Sequence, residues 1–219
     1  MKRALVIGAS GGIGSAVARE FENRSFAVTR LSRREDGFDV CDTGSIERVL
    51  SDIKDVFDVV FVAIGTLAEG STPEKALNQL DPKQMRAVFD VNAVGPALIL
   101  AQVERLLPRE GPSYVGVLSA RVGSIGDNQI GGWYSYRASK AALNQIVRGA
   151  AIEIGRKCKM AAIVALHPGT VETPFTANYK GHIMVAPDEA ARNLCDVLLG
   201  LSPEQSGQFF DYAGKVVPW

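Results

Sequence analysis

Tyr136 and Lys140 stand four residues apart in the segment Tyr134-Ser135-Tyr136-Arg137-Ala138-Ser139-Lys140. On a helix, that spacing places a phenol and an ammonium on one face. A phenol with an ordinary pKa of about 10 exchanges protons poorly at neutral pH, and a nearby ammonium favours the phenolate and brings the group into a useful range. The pair therefore suits proton transfer at an oxygen atom. Exposed helix pairs with this spacing are common, so the pair gains weight only beside a second signal. That signal is Gly8-Ala9-Ser10-Gly11-Gly12-Ile13-Gly14, which follows a short apolar run. A glycine turn from a strand into a helix lets backbone N–H groups and the helix dipole face a pyrophosphate. The spacing is Gly-x-x-x-Gly-x-Gly, which departs from the more familiar Gly-x-Gly-x-x-Gly dinucleotide pattern.

A third group lies where dinucleotide binders usually carry an acid for the ribose 2′-hydroxyl. This chain has Ser32-Arg33-Arg34 instead. A carboxylate would repel a 2′-phosphate, whereas arginine grips one through charge-assisted bonds. The expectation is NADP(H) in preference to NAD(H), with Arg33 as the phosphate contact.

The elements that must position these groups follow from hydrophobic periodicity. Ala4 to Ile7 reads as a buried strand, and Ile13, Val17 and Phe21 mark one face of the next helix. Strands are expected at Phe26 to Leu31, Phe57 to Ile64, Tyr114 to Leu118 and Met160 to Leu166, with an edge strand at Gln208 to Tyr212. Helices are expected from Asp81 to Leu107, bent at Pro96, from Tyr136 to Ile154, and from Pro187 to about Leu199. Alternating strands and helices predict a Rossmann-like, doubly wound parallel α/β sheet of about seven strands, with helices on both faces. The irregular stretches Gly65 to Pro73 and Pro174 to Val185 follow strand ends, where ligands bind in such sheets.

Composition narrows the possibilities further. The chain has 219 residues, and its 24 Lys+Arg offset 24 Asp+Glu. That length suits a single domain spanning 1–219. A balanced charge provides no field for nucleic acid or an anionic membrane, and neither is expected as a partner. The opening apolar run is too short for a signal peptide. Cys41, Cys158 and Cys195 form no Cys-x-x-Cys motif, which suits a reducing, cytoplasmic setting. The two histidines have no ligand-like spacing, so no metal site is expected.

Taken together, these segments resemble the short-chain dehydrogenase/reductase family over essentially the whole chain. Gly8-x-x-x-Gly12-x-Gly14 is similar to its cofactor loop and Tyr136-x-x-x-Lys140 to its catalytic pair. Val91-Asn92-Ala93-Val94-Gly95 resembles its helix-borne asparagine motif, and His167-Pro168-Gly169-Thr170-Val171-Glu172-Thr173 its nicotinamide-side loop. Arg121 to Ile125, Gly131 to Arg137 and the closing Val217-Pro218-Trp219 resemble the small C-factor/sniffer-like carbonyl reductases.

The resemblance implies hydride transfer between NAD(P)(H) and a small carbonyl or alcohol substrate. Tyr136 exchanges the proton, Lys140 tunes it and holds the nicotinamide ribose, and Asn92 anchors a water relay. Gly8, Ser10, Gly12, Ile13 and Gly14 hold the pyrophosphate turn; Asp39 and Val40 meet the adenine, while Ala63 and Gly65 pass beneath the adenosine ribose. Pro168, Gly169, Val171 and Thr173 bound the nicotinamide. Two departures stand out. Val62-Ala63-Ile64-Gly65 replaces an Asn-Asn-Ala-Gly-like segment, and Ser119-Ala120 replaces the Ser-Ser pair whose second serine binds substrate. Ser119 is the nearest substitute, with Ser124 the other hydroxyl in reach. Phe175 and Tyr179 are expected over the substrate. Family members assemble through long helices, which implies a homodimer or homotetramer using Met85 to Leu107 and Leu143 to Ile154. The competing readings are epimerisation or dehydration on the same fold, and a dinucleotide-binding signalling or sensor protein with vestigial catalysis, for which Ala120 is the best sign.

Overall fold

The computed structural model describes residues 1–68, 72–176 and 184–219. Six strands form one sheet: β1 (Arg3–Ile7), β2 (Ala27–Leu31), β3 (Val59–Val62), β4 (Ser113–Leu118), β5 (Ala161–His167) and β6 (Phe209–Asp211). Their order is β2-β1-β3-β4-β5-β6, and every pairing is parallel. The chain runs outward from β1 to β2, then returns to the other side of β1. The carboxyl ends of β1 and β3 therefore border the crevice where doubly wound sheets take ligands.

Alternation along each strand feeds two cores. Leu5, Ile7, Val60, Val62, Val115, Val117, Ile163 and Ala165 face α3 (Thr43–Asp52), α5 (Gly95–Val103) and α6 (Tyr134–Gly155). The intervening Ala4, Val6, Val59, Phe61, Val164 and Leu166 face α1 (Gly12–Asn23) and α7 (Pro187–Leu199). Parallel strands covered on both sides become almost wholly apolar, and this accounts for the short unbroken runs in the sequence.

The expected seventh strand is absent among the described residues. Between Leu31 and Thr43 the chain fits only one helical turn, α2 (Arg33–Asp36), and a loop. The expected helix from Asp81 to Leu107 is also divided. It comprises α4 (Pro82–Phe89), a π-helical turn at Asp90–Val94, α5, and a 3₁₀ turn at Glu104–Leu106. Pro96 has no N–H to continue the α-helical ladder, and the adjustment falls ahead of it, where Gly95 N–H donates to Asp90 O. By length and composition the stretch Pro82–Leu106 could cross a membrane. Here its residues Val88, Ile99, Leu100, Val103 and Leu106 are buried in the protein.

Candidate active site

The glycine turn is fixed by backbone contacts. Gly8 has φ +87°, and a Cβ there would lie 2.4 Å from Ala63 O. A Cβ on Gly14 would lie 2.2 Å from Gly8 O. Neither position accepts a side chain. The N-cap of α1 is Gly11, which offers no side-chain cap, and the helix has no acid in its first turn. Its leading N–H groups are thus left for an anionic ligand, while Ser10 and Gly12 are exposed and Ile13 half-buried. Gly12 lies beneath the loop after β5, because a Cβ there would meet Thr173 Cγ2 at 2.6 Å. The structure so brings Gly8, Ser10, Gly12, Ile13, Gly14, Ala63 and Thr173 into one neighbourhood. It is a cradle of backbone N–H groups that fits a dinucleotide's phosphates.

Arg33 and Arg34 open α2, and both are exposed. Ser32 caps that turn by accepting from Glu35 N, and Asp36 is engaged by the Ser32 N–H at 2.7 Å. Asp39 accepts from Cys41 N at 2.9 Å. Val40 presses on the π turn, and a Cβ on Gly95 would meet Val40 O at 2.7 Å. Gly95 thus lets the loop after α2 approach the helix that carries Asn92.

Asn92 is fully buried in the π turn. Its Oδ1 accepts from Thr66 N at 2.7 Å, and its Nδ2 donates to Thr66 O at 2.8 Å and Ser139 Oγ at 3.0 Å. The Ser139 hydroxyl in turn donates to Tyr136 O at 2.9 Å. Asn92 therefore ties the strand-end loop after β3 to the helix bearing Tyr136. Lys140, one turn further along α6, is buried and donates to Leu118 O at 3.0 Å and Ile64 O at 3.5 Å. Gly65 closes this corner: a Cβ there would lie 3.2 Å from Lys140 Nζ and 3.4 Å from Asn92 Oδ1.

Burial disfavours charge on both catalytic candidates. It raises the Tyr136 phenol well above its ordinary value and lowers the Lys140 ammonium to about 7. The Tyr136 ring lies between Trp133, edge-on with centroids 6.2 Å apart, and Phe175 at 6.0 Å. Phe175, expected over the substrate, is 40% exposed and packs on this ring, whereas Tyr179 lies outside the described residues.

The loop after β5 turns at Gly169, whose φ is +79° and which rests on the Tyr212 ring. Pro168 leads into that turn. Val171 is buried and bridges to Val185, and Thr176 Oγ1 donates to Val171 O at 2.6 Å. Thr173 N donates to the same hydroxyl at 3.2 Å.

Ser119 is placed differently from the expectation. Strand alternation turns it toward α6, where its hydroxyl lies 2.6 Å from Asn144 Oδ1 and donates to it. Ser124 accepts from Asp127 N in a turn of its own. Ala120 leaves the register position of the substrate-side serine without a hydroxyl.

Three contributors were not singled out from the sequence. Ser139 and Asn144 sit in α6, and their roles depend on which face is buried. Glu74 lies just past the irregular stretch Gly65 to Pro73, and no local pattern marks it; its partner Ser135 is 61 residues away.

Comparison with known proteins reaches the whole chain. The family model described as enoyl-(acyl carrier protein) reductase matches residues 8–196. The chain is 31% identical over 235 residues to a 1-hydroxy-2-glutathionyl-2-methyl-3-butene dehydrogenase from Rhodococcus sp. strain AD45, covering 100% of both proteins. It is 38% identical over 144 residues to the C-signal protein of Myxococcus xanthus, covering 66% of this chain and 84% of that one. A crystal structure of a short-chain dehydrogenase/reductase from Burkholderia multivorans with bound NADP superimposes with a TM-score of 0.82 at 26% identity, covering 100% of this chain and 99% of that one.

Proposed function

The chain belongs to the short-chain dehydrogenase/reductase family and is an NAD(P)-dependent oxidoreductase, and from that premise we propose an NADP(H)-linked reductase of carbonyl compounds that also runs the reverse oxidation. The observation that carries this reading is the convergence of Lys140, Asn92 and Gly65 beside the tyrosine helix. The Rhodococcus relative, named as the dehydrogenase of a hydroxy compound, supports an alcohol–carbonyl pair.

In this reading, Gly8, Ser10, Gly12, Ile13 and Gly14 hold the pyrophosphate. Arg33 grips the 2′-phosphate, Asp39 and Val40 meet the adenine, and Ala63 and Gly65 line the adenosine ribose. Pro168, Gly169, Val171 and Thr173 bound the nicotinamide, which when bound supplies or accepts the hydride. Tyr136 donates a proton to the substrate oxygen. Its buried phenol stays protonated, so it is loaded as an acid, and Lys140, whose ammonium burial lowers to about 7, eases release of that proton in its protonated form, at neutral pH and below. Lys140 also holds the nicotinamide ribose hydroxyls. Asn92 keeps the loop after β3 and the tyrosine helix in register, and anchors the relay that returns the proton. Ser119 braces Asn144 under the helix, leaving Tyr136 as the donor to the substrate oxygen.

We infer a reducing cytoplasmic setting, in keeping with Cys158 and Cys195 lying buried and with the lack of any Cys-x-x-Cys motif. Burial raises Cys195 to about 12, which keeps it an inert space-filler. We also propose a homodimer or homotetramer, assembled across the groove that Ala97, Ala101, Ile146 and Ala150 line between α5 and α6.

Fluorescence titration with NADPH and NADH, on the wild type and Arg33→Ala, tests the cofactor assignment. Loss of the charged contact should weaken NADPH binding by about tenfold or more, with NADH unchanged. Equal weakening of both nucleotides, or of neither, removes Arg33 from the 2′-phosphate. A second reading, a dinucleotide-binding signalling protein with weak catalysis, draws on Ala120 and on the likeness to C-signal. Tight cofactor binding without turnover across a broad carbonyl panel would favour it.

A further inference from the structure

Glu74 is a carboxylate only 7% exposed, in a loop that precedes α4. Burying a carboxylate is costly unless the protein replaces its water with hydrogen bonds. Glu74 meets that requirement at the start of α6. Its Oε2 accepts from Ser135 N at 3.2 Å, and its Oε1 accepts from the Ser135 hydroxyl in a short bond. Its backbone oxygen accepts from Trp133 N.

The helix start needs this help. The N-cap position of α6 holds Trp133, which has no side-chain cap and adopts φ 51°, a left-handed conformation that is unusual for a bulky residue. Gly131 and Gly132 before it have φ 70° and 66°. A run of left-handed residues ending in tryptophan persists only when its surroundings hold it. Glu74 holds the N–H side of the turn. Arg137 holds the carbonyl side, donating to Gly131 O at 3.2 Å and Gly132 O at 3.0 Å. Tyr136 is the next residue after Ser135, and its ring packs on Trp133.

We propose that Glu74 is a positioning residue for catalysis: by capping α6 at Ser135 and Trp133 it fixes the orientation from which Tyr136 delivers its proton. The inference rests on the assignment of Tyr136 as proton donor. A misplacement of about 1 Å in a reacting group can cost on the order of 10² in rate. Glu74 should accordingly act on turnover and leave the cofactor cradle untouched.

The test compares Glu74→Ala, Glu74→Gln and the wild type in two measurements. Steady-state carbonyl reduction with NADPH reads kcat, KM and cofactor affinity. Amide hydrogen exchange reads protection at Ser135, Tyr136 and Arg137 without requiring turnover. Glu74→Ala should lower kcat by about 10- to 100-fold, keep the NADPH Kd within about twofold, and lose protection in that first turn. Glu74→Gln should restore protection and keep kcat within about threefold, because its amide oxygen still accepts from Ser135. The proposal is overturned if Glu74→Ala keeps full protection and kcat. It is equally overturned if Glu74→Gln fails as badly as Glu74→Ala, or if cofactor affinity falls in step with kcat. A wild type that turns over no carbonyl would instead remove the functional reading, while the exchange data still decide whether Glu74 holds the helix start.

Discussion

The two halves of the site are built by different means. On the cofactor side, the turn between β1 and α1 is shaped by main chain against main chain: Gly8 against Ala63 O and Gly14 against Gly8 O. The groups it offers are backbone N–H groups, and Arg33, proposed for the 2′-phosphate, is on the surface. On the tyrosine side, the start of α6 is held by side chains that reach across the sequence. Glu74 meets Ser135 over 61 residues, Asn92 meets Ser139 over 47, and Lys140 meets Leu118 over 22. The functional groups there are buried and their ionisation is displaced by desolvation. The first construction recognises a shape by leaving no room for side chains. The second tunes chemistry by removing water from groups that would prefer it. Damage to the first should therefore appear in binding, and damage to the second in turnover.

The sharpest separation should come from Tyr136→Phe. The variant keeps the ring that packs between Trp133 and Phe175 and loses only the hydroxyl. Loss of a general acid should lower kcat by about 10³, with NADPH affinity within about twofold of wild type. Stopped-flow hydride transfer and a fluorescence titration measure the two quantities. Cofactor binding that collapses together with turnover would erase the distinction between the halves.

The converse change is Gly12→Ala. Its new methyl would meet the Thr173 side chain at 2.6 Å, and not main chain as at Gly8 or Gly14. The fold should survive while the loop after β5 is pushed off the cradle. We expect NADPH affinity to fall by about tenfold, equivalent to ~1.4 kcal/mol, with kcat at saturating cofactor nearly unchanged. A variant whose main defect is in kcat would mean that this loop governs the chemistry more than the binding.

The same contrast explains what could be read before the structure. The cradle is contiguous in sequence, from Gly8 to Gly14, and its strand-to-helix setting follows from one apolar run and one helical period. Tyr136 and Lys140 were legible because their spacing matches one helical turn. Asn92 and the loop from Pro168 to Thr173 emerged through family resemblance. The residues that support them were not visible. Glu74 is useful only because the fold carries its loop to the start of α6. Asn144 matters because the fold brings the Ser119 hydroxyl to it, a consequence of three-dimensional register. The π turn at Asp90–Val94 was likewise foreseen only as a bend at Pro96, since proline states that the ladder breaks but not which carbonyl takes up the slack.

A pH slope in stability separates the halves without any substrate. Burial lowers Lys140 to about 7 from an ordinary value of 10.5. Below about 7 both the folded and the unfolded chain carry this proton, and Lys140 adds no slope. Between about 7 and 10.5 the unfolded chain still holds a proton that the folded protein has released. Stability then rises with pH wherever the unfolded state binds more protons. The Tm of the wild type, relative to Lys140→Met, should therefore climb as pH is raised from 6.5 through 9.5, against a flat difference below about 7. Gly12→Ala, which touches no ionisable group, should follow the wild-type curve in parallel. Parallel curves for wild type and Lys140→Met would show that Lys140 keeps its charge in the folded protein, through contacts that offset its desolvation. The tyrosine side would then owe its reactivity to a permanently charged neighbour, and the contrast with the cofactor side would rest on geometry alone.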